Sequence, residues 1–86
     1  MDQRAKVTML DFKLHNETDT TKEYRYFKEG KGEPGLISID LLTGEASIIK
    51  LAPGDDFKWY AFKLTYALEE MAANNSFTDT GTIMWY

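Results

Sequence analysis

LISIDLLTGEASIIKL, residues 36–51, is the stretch that decides the fold. Apolar and polar residues alternate over Leu36–Leu41, and Ala46–Leu51 is again rich in β-branched and apolar residues, as is typical of strands. Between them, Leu42–Glu45 forms a short turn in which Gly44 can adopt a positive φ without steric cost. The stretch therefore predicts a β-hairpin.

Two further strands are predicted on the N-terminal side of this hairpin. The first of them is Lys6–His15, in which one face carries Thr8, Leu10, Phe12 and Leu14. Lys22–Lys28 places Tyr24 and Tyr26 on one face and Arg25 and Phe27 on the other. The polar segment Asn16–Thr21 and the glycine-rich segment Glu29–Gly35 are predicted to be the loops that follow these strands.

One helix is predicted on the C-terminal side of the hairpin. Pro53-Gly54 ends the strands, and Asp55 or Asp56 provides an N-cap, with its negative charge at the positive end of the helix dipole. Phe57–Ala73 contains neither proline nor glycine and is rich in good helix formers. Asn74–Ser76 ends the helix, because asparagine tolerates the left-handed conformation of a C-cap.

A short last strand completes the predicted fold. Thr78–Gly81 is a turn, and Thr82–Tyr86 is apolar enough to be a strand. The element order is then β-β-β-β-α-β. It predicts a single α+β domain over residues 1–86, a four-stranded antiparallel meander with an amphipathic helix packed on one face and a C-terminal strand.

The predicted helix has two apolar faces. At about 100° per residue, the face directed at the sheet consists of Phe57, Ala61, Leu64, Leu68 and Met71. The opposite face, between charged flanks, carries Trp59, Phe62 and Tyr66. Five phenylalanines, five tyrosines and two tryptophans are a heavy load for 86 residues, and the aromatic residues that a core of this size accommodates are Phe12, Tyr24, Phe57 and, as a further candidate, Trp85.

Three interpretations of the second face remain open. Ile83–Tyr86 or the first-strand region folds over it, a protein partner binds it, or it lines a pocket for a small molecule. Exposed aromatic residues are enriched at the centres of protein interfaces, so Trp59, Phe62 and Tyr66 are predicted to bind a partner. A homodimer is the simplest such arrangement, because a two-fold contact needs only one self-complementary patch.

Composition excludes several classes of function. Ten basic against fourteen acidic residues give a net charge of -4, which disfavours non-specific nucleic-acid binding and anionic membranes. Without cysteine there is no disulfide, thiol nucleophile or thiolate metal site, and His15 is the single histidine. No nucleotide-binding or nucleophile motif occurs, so no enzyme, cofactor or metal is predicted. No stretch without a charged residue approaches the roughly 20 residues that span a bilayer, and the first residues have no apolar stretch typical of a signal peptide. Both observations favour a cytoplasmic protein.

Two other functions belong to different classes. Lys22–Lys28 interleaves aromatic and basic residues, which is one way to bind single-stranded nucleic acid, and the residues that would do so are Tyr24, Arg25, Tyr26 and Lys28. An acidic inhibitor of a nucleic-acid-handling protein would instead present carboxylates where phosphates bind, from Glu17, Asp19, Asp55, Asp56, Glu69, Glu70 and Asp79.

Five short stretches carry a pattern of hairpin and helix signals: Gly32-Glu-Pro-Gly35, Ile37-Ser-Ile-Asp40, Thr43-Gly-Glu45, Lys50-Leu-Ala52 and the final Trp85-Tyr86. In this pattern the chain resembles a group of small bacterial proteins of unassigned function. The resemblance covers the chain from Tyr24 onward. It implies a bacterial, cytoplasmic protein and supplies no catalytic residue.

Overall fold

A computed structural model describes residues 7–85, and these form five strands and one helix. In chain order the elements are β1 (Thr8–Glu17), β2 (Thr21–Lys28), β3 (Gly35–Asp40), β4 (Ala46–Lys50), α1 (Trp59–Asn74) and β5 (Thr80–Trp85). The predicted order β-β-β-β-α-β and the α+β class are confirmed.

The five strands form one antiparallel sheet in the order β4-β3-β2-β1-β5. Strands β1 to β4 are joined in sequence as a meander, because each connection is short enough to return the chain beside the strand it has just left. After α1 the chain passes back across the sheet, and β5 pairs with β1. The two edges of the sheet are therefore β4 and β5.

The hairpin between β3 and β4 forms at the predicted turn. The Asp40 carboxylate accepts hydrogen bonds from the amides of Leu42 (2.8 Å) and Thr43 (3.1 Å). Gly44 has a φ of 77°, and its amide donates to the carbonyl oxygen of Asp40 at 2.8 Å. Local turn chemistry thus fixes the register of this hairpin.

Several element bounds differ from those predicted. The predicted loop Asn16–Thr21 is shorter than expected, because β1 runs to Glu17 and β2 starts at Thr21. Only residues 18–20 form the turn, in which the Thr18 hydroxyl accepts hydrogen bonds from the amides of Thr20 and Thr21. Leu41 and Leu51 lie just outside β3 and β4, and β5 starts at Thr80. The predicted strand ends Lys6 and Tyr86 lie outside the described residues.

Helix α1 packs across β2, β3 and β4 on one face of the sheet. The buried core lies between the helix and the sheet and consists of Leu10, Phe12, Tyr24, Tyr26, Ile37, Ile39, Ala52, Ala61, Leu64 and Leu68. The helix ends as predicted, since Asn75 is left-handed with a φ of 52° and donates its amide to Ala72. Within residues 7–85, no helix has the length and apolar character that crossing a membrane requires.

The prediction that Phe57 faces the sheet is wrong. Its side chain is 80% exposed, and the helix starts two residues later, at Trp59. Lys58 has a left-handed backbone with a φ of 64°, so the helical repeat does not extend back to Phe57. The Phe57 ring instead lies 6.3 Å from the ring of Trp59, at the solvent side of the helix start.

Candidate interaction surface

The solvent side of α1 carries three exposed aromatic side chains. Trp59 is 68% exposed, Phe62 47% and Tyr66 73%. Their spacing places them on the face opposite Ala61, Leu64 and Leu68, which are fully buried against the sheet. The described part of the C-terminal segment pairs with β1 instead of folding over this face. Trp59, Phe62 and Tyr66 therefore remain exposed in the part of the chain that the structure describes.

A fourth aromatic residue, Trp85, borders this face from β5. Its ring lies 5.4 Å from that of Tyr60 in an edge-to-face arrangement, and the Lys63 ammonium nitrogen lies 5.3 Å from its centroid. A shallow groove of about 380 Å³ is lined by Trp59, Phe62, Lys63, Tyr66 and Trp85. We call Trp59, Phe62, Tyr66 and Trp85 the aromatic surface. The sequence left open whether the segment that contains Trp85 reaches this face, because its position depends on the pairing of β5 with β1.

Two opposite charges lie along one flank of the aromatic surface. Lys63 and Glu70 are seven residues apart, which is close to two helical turns, so both side chains leave the helix on the same side. Both residues are exposed. The described residues contain no ion pair that involves either of them. This flank is therefore basic toward the start of α1 and acidic toward its end.

A buried carboxylate holds the start of α1 in place. Asp55 is 3% exposed, and its two oxygens accept hydrogen bonds from the amides of Tyr60 (3.2 Å) and Ala61 (3.0 Å). The Tyr26 hydroxyl donates to the same carboxylate at 2.8 Å and accepts from the Ala52 amide at 2.9 Å. Of the two predicted capping residues, Asp55 thus binds the free amides of the helix, although the N-cap position itself is Lys58.

The residues predicted to bind single-stranded nucleic acid do not share a surface. Tyr24 and Tyr26 are fully buried beneath α1, whereas Arg25 is exposed on the opposite face of the sheet. The Lys28 ammonium nitrogen lies 5.4 Å from the ring centroid of Tyr60. Stacking on a base requires an exposed ring, and the rings of Tyr24 and Tyr26 are buried. These two residues are therefore not accessible to a nucleic acid in this structure.

The carboxylates of the acidic-inhibitor hypothesis are also only partly available. Asp55 is buried, and Glu69 accepts a hydrogen bond from the Ala46 amide at 2.9 Å. The remaining residues of this hypothesis are exposed, namely Glu17, Asp19, Asp56, Glu70 and Asp79. His15 is exposed near the end of β1, and within residues 7–85 no three histidine or acidic side chains are grouped to hold a metal ion.

Three tyrosines have a raised pKa for different reasons. Burial raises the pKa of Tyr24 to about 12, with a further contribution from the negative charge of Asp79. The hydrogen bond that Tyr60 donates to Glu29 at 2.6 Å raises its pKa to about 12. Burial also raises the pKa of Tyr26.

We expect the protein to lose stability as the pH rises above 10. In the unfolded chain a tyrosine ionises near its ordinary pKa of 10, whereas Tyr24 and Tyr60 stay neutral in the folded protein until about pH 12. The contribution of these two tyrosines to the free energy of unfolding is therefore complete below pH 10 and is lost between pH 10 and pH 12. Urea unfolding followed by circular dichroism across this range measures the loss. A Tyr24→Phe variant should lose less over the same range, and an equal loss would contradict the assignment.

Comparison with known protein families, curated proteins and solved structures finds no match to this chain.

Proposed function

We propose that this protein is a protein-interaction module that forms a homodimer through its aromatic surface. The observation that carries the proposal is the exposure of Trp59, Phe62 and Tyr66, side by side with Trp85 along one groove. Isolated exposed apolar residues are common on soluble proteins, but a contiguous aromatic patch typically marks a contact. Trp and Tyr are also the residue types that contribute most to binding energy at interface centres.

The charges beside the aromatic surface favour a second copy as the partner. In an antiparallel pair of α1 helices related by a two-fold axis near Tyr66, the same flank of each helix meets across the contact. Lys63 then lies beside Glu70 of the partner subunit, and the reverse pair forms by symmetry. Trp59 lies opposite the small side chain of Ala73 of the partner subunit. One sequence thereby supplies both halves of a complementary contact.

We expect Tyr66→Lys to weaken self-association strongly. The substitution places a charge at the centre of the proposed contact and removes a large aromatic side chain, a loss of about 2 kcal/mol or more, equivalent to about 30-fold in Kd. Sedimentation velocity over a concentration series measures the change. Leu42→Lys is the matched control, because Leu42 is equally exposed but lies in the β3–β4 turn. Equal association of both variants would contradict the proposal.

The orientation of the pair is checked in the same experiment by exchanging charges. Lys63→Glu and Glu70→Lys alone each place like charges together and should weaken association. The double variant restores opposite charges, with their positions exchanged, and should recover it. If the double variant associates no better than the single variants, the helices do not pair in the antiparallel orientation described here.

A further inference from the structure

Among residues 7–85, strand β5 has backbone groups at the edge of the sheet that form no hydrogen bond. The Leu14 amide donates to the carbonyl oxygen of Asp79 at 2.6 Å, and from there the β1–β5 register continues without a shift. In an antiparallel ladder, alternate residues turn their N–H and C=O groups toward the partner strand. Gly81, Ile83 and Trp85 therefore face β1, and three residues face outward: Thr80, Thr82 and Met84. No hydrogen bond among the described residues uses their outward backbone groups.

The opposite edge of the sheet is protected in three ways that β5 lacks. On β4, the Ala46 amide donates to the Glu69 carboxylate, Ile49 is an extra residue that bulges the strand, and Lys50 adds a charge. Bulges, charged residues and covering groups are the usual means of preventing edge strands from pairing with other chains. Thr80–Trp85 has no charged residue, no proline and no register shift.

We propose that β5 pairs antiparallel with β5 of a second copy, with Thr82 opposite Thr82 of the partner subunit. In this register Thr80 lies opposite Met84 of the partner subunit, so every outward residue exchanges two backbone hydrogen bonds with its opposite. The side chains match equally well. Thr82 meets another threonine, which is a favourable cross-strand pair, on the face away from α1.

The face that carries α1 fits the same register. Gly81 lies opposite Ile83 of the partner subunit. Because glycine has no side chain, it leaves room for the bulky isoleucine side chain. No pair of like charges is created, since the strand carries no charge. A second copy fulfils all these conditions at once, because the sequence of β5 is complementary to itself. The pairing joins the two sheets and leaves α1 and its outward aromatic side chains outside the new strand contact.

Amide hydrogen exchange tests the pairing residue by residue. When the protein concentration is raised from micromolar to millimolar, the exchange of the Thr80, Thr82 and Met84 amides should slow by about tenfold or more. The amides of Gly81 and Ile83 already bond to β1 and serve as the internal control. Protection that changes equally at both sets, or at neither, would overturn the proposal.

Variants separate this contact from the one on α1. The Tyr66→Lys background weakens the aromatic contact, and the part of its remaining association that depends on Thr82 reports β5. Adding Thr82→Pro deletes one outward N–H, leaves the backbone bonds to β1 intact and removes the hydrogen bond that the Thr82 hydroxyl donates to Asp11. It should abolish that association, whereas Thr82→Val, which removes the same side-chain bond but keeps the N–H, should retain it. Met84→Lys places a charge on the edge strand without changing its backbone hydrogen bonds, and it should also weaken the association through β5. This variant replaces Thr82→Pro if the proline variant does not fold.

The outcomes of the two proposals are distinguishable. If Tyr66→Lys alone is already monomeric at millimolar concentration, the β5 pairing is wrong and the aromatic contact stands. If Tyr66→Lys has no effect and Thr82→Pro in the otherwise unchanged chain gives a monomer, the pairing of β5 stands and the aromatic homodimer is wrong.

Discussion

Replacing Asp55 with alanine is expected to lower the free energy of unfolding by about 3 to 4 kcal/mol. The carboxylate binds the amides of Tyr60 and Ala61 at the start of α1, in place of an N-cap side chain. Losing a cap costs about 1 to 2 kcal/mol. The same substitution leaves the buried hydroxyl of Tyr26 without its acceptor, which costs about 1 to 3 kcal/mol more.

Urea unfolding followed by circular dichroism and by tryptophan fluorescence measures this loss. The neighbouring Asp56 is exposed, so Asp56→Ala is the control, with an expected change within about 0.5 kcal/mol. Asp55→Asn keeps one acceptor oxygen and should fall between the two. A loss below about 1 kcal/mol for Asp55→Ala would show that water or a rearranged loop replaces the carboxylate.

The fold follows from local patterns in the sequence, and these were sufficient for its class. The β3–β4 hairpin was predictable because Gly44 acts within its own turn, whereas the hydrogen bonds of Asp40 to that turn are seen only in the structure. The position of Trp59, Phe62 and Tyr66 on the face opposite the sheet followed from the helical repeat alone, whereas their exposure did not. The prediction failed at Phe57, since the left-handed backbone of Lys58 interrupts that repeat and nothing in the residue type announces it.

The parts of the site that depend on distant contacts were not predictable in the same way. Asp55 was assigned a helix-capping role, but its burial requires Tyr26 from a strand far earlier in the chain. Trp85 reaches the aromatic surface only because β5 pairs with β1 rather than with β4. The sequence pattern identifies which side chains are apolar, whereas the strand order decides which of them share a surface.

Replacing Gly35 with alanine is expected to destabilise the protein by about 3 kcal/mol or more, the upper end of the range for overpacking. A methyl group at Gly35 would collide with the ring of Tyr26 and lie 2.7 Å from the Ala52 amide nitrogen. The ring has nowhere to move, because the Tyr26 hydroxyl is bonded to both Ala52 and Asp55. The added methyl group therefore either strains the backbone of β3 or breaks two buried hydrogen bonds.

Gly81 provides the comparison that isolates this cause. A methyl group there would also meet an aromatic ring, that of Phe12 on the adjacent strand, at 2.5 Å. The Phe12 ring is held by packing against Tyr24 and not by hydrogen bonds, so Gly81→Ala should cost less, about 1 to 2 kcal/mol. In a Tyr26→Leu background the cost of Gly35→Ala should fall, since the anchored ring is gone, and the part that remains reports the contact with the Ala52 backbone nitrogen. If Gly35→Ala and Gly81→Ala lower the free energy of unfolding equally in the otherwise unchanged chain, this explanation is wrong. Crowding of the ring alone, and not the hydrogen bonds of Tyr26, would then account for the loss at Gly35.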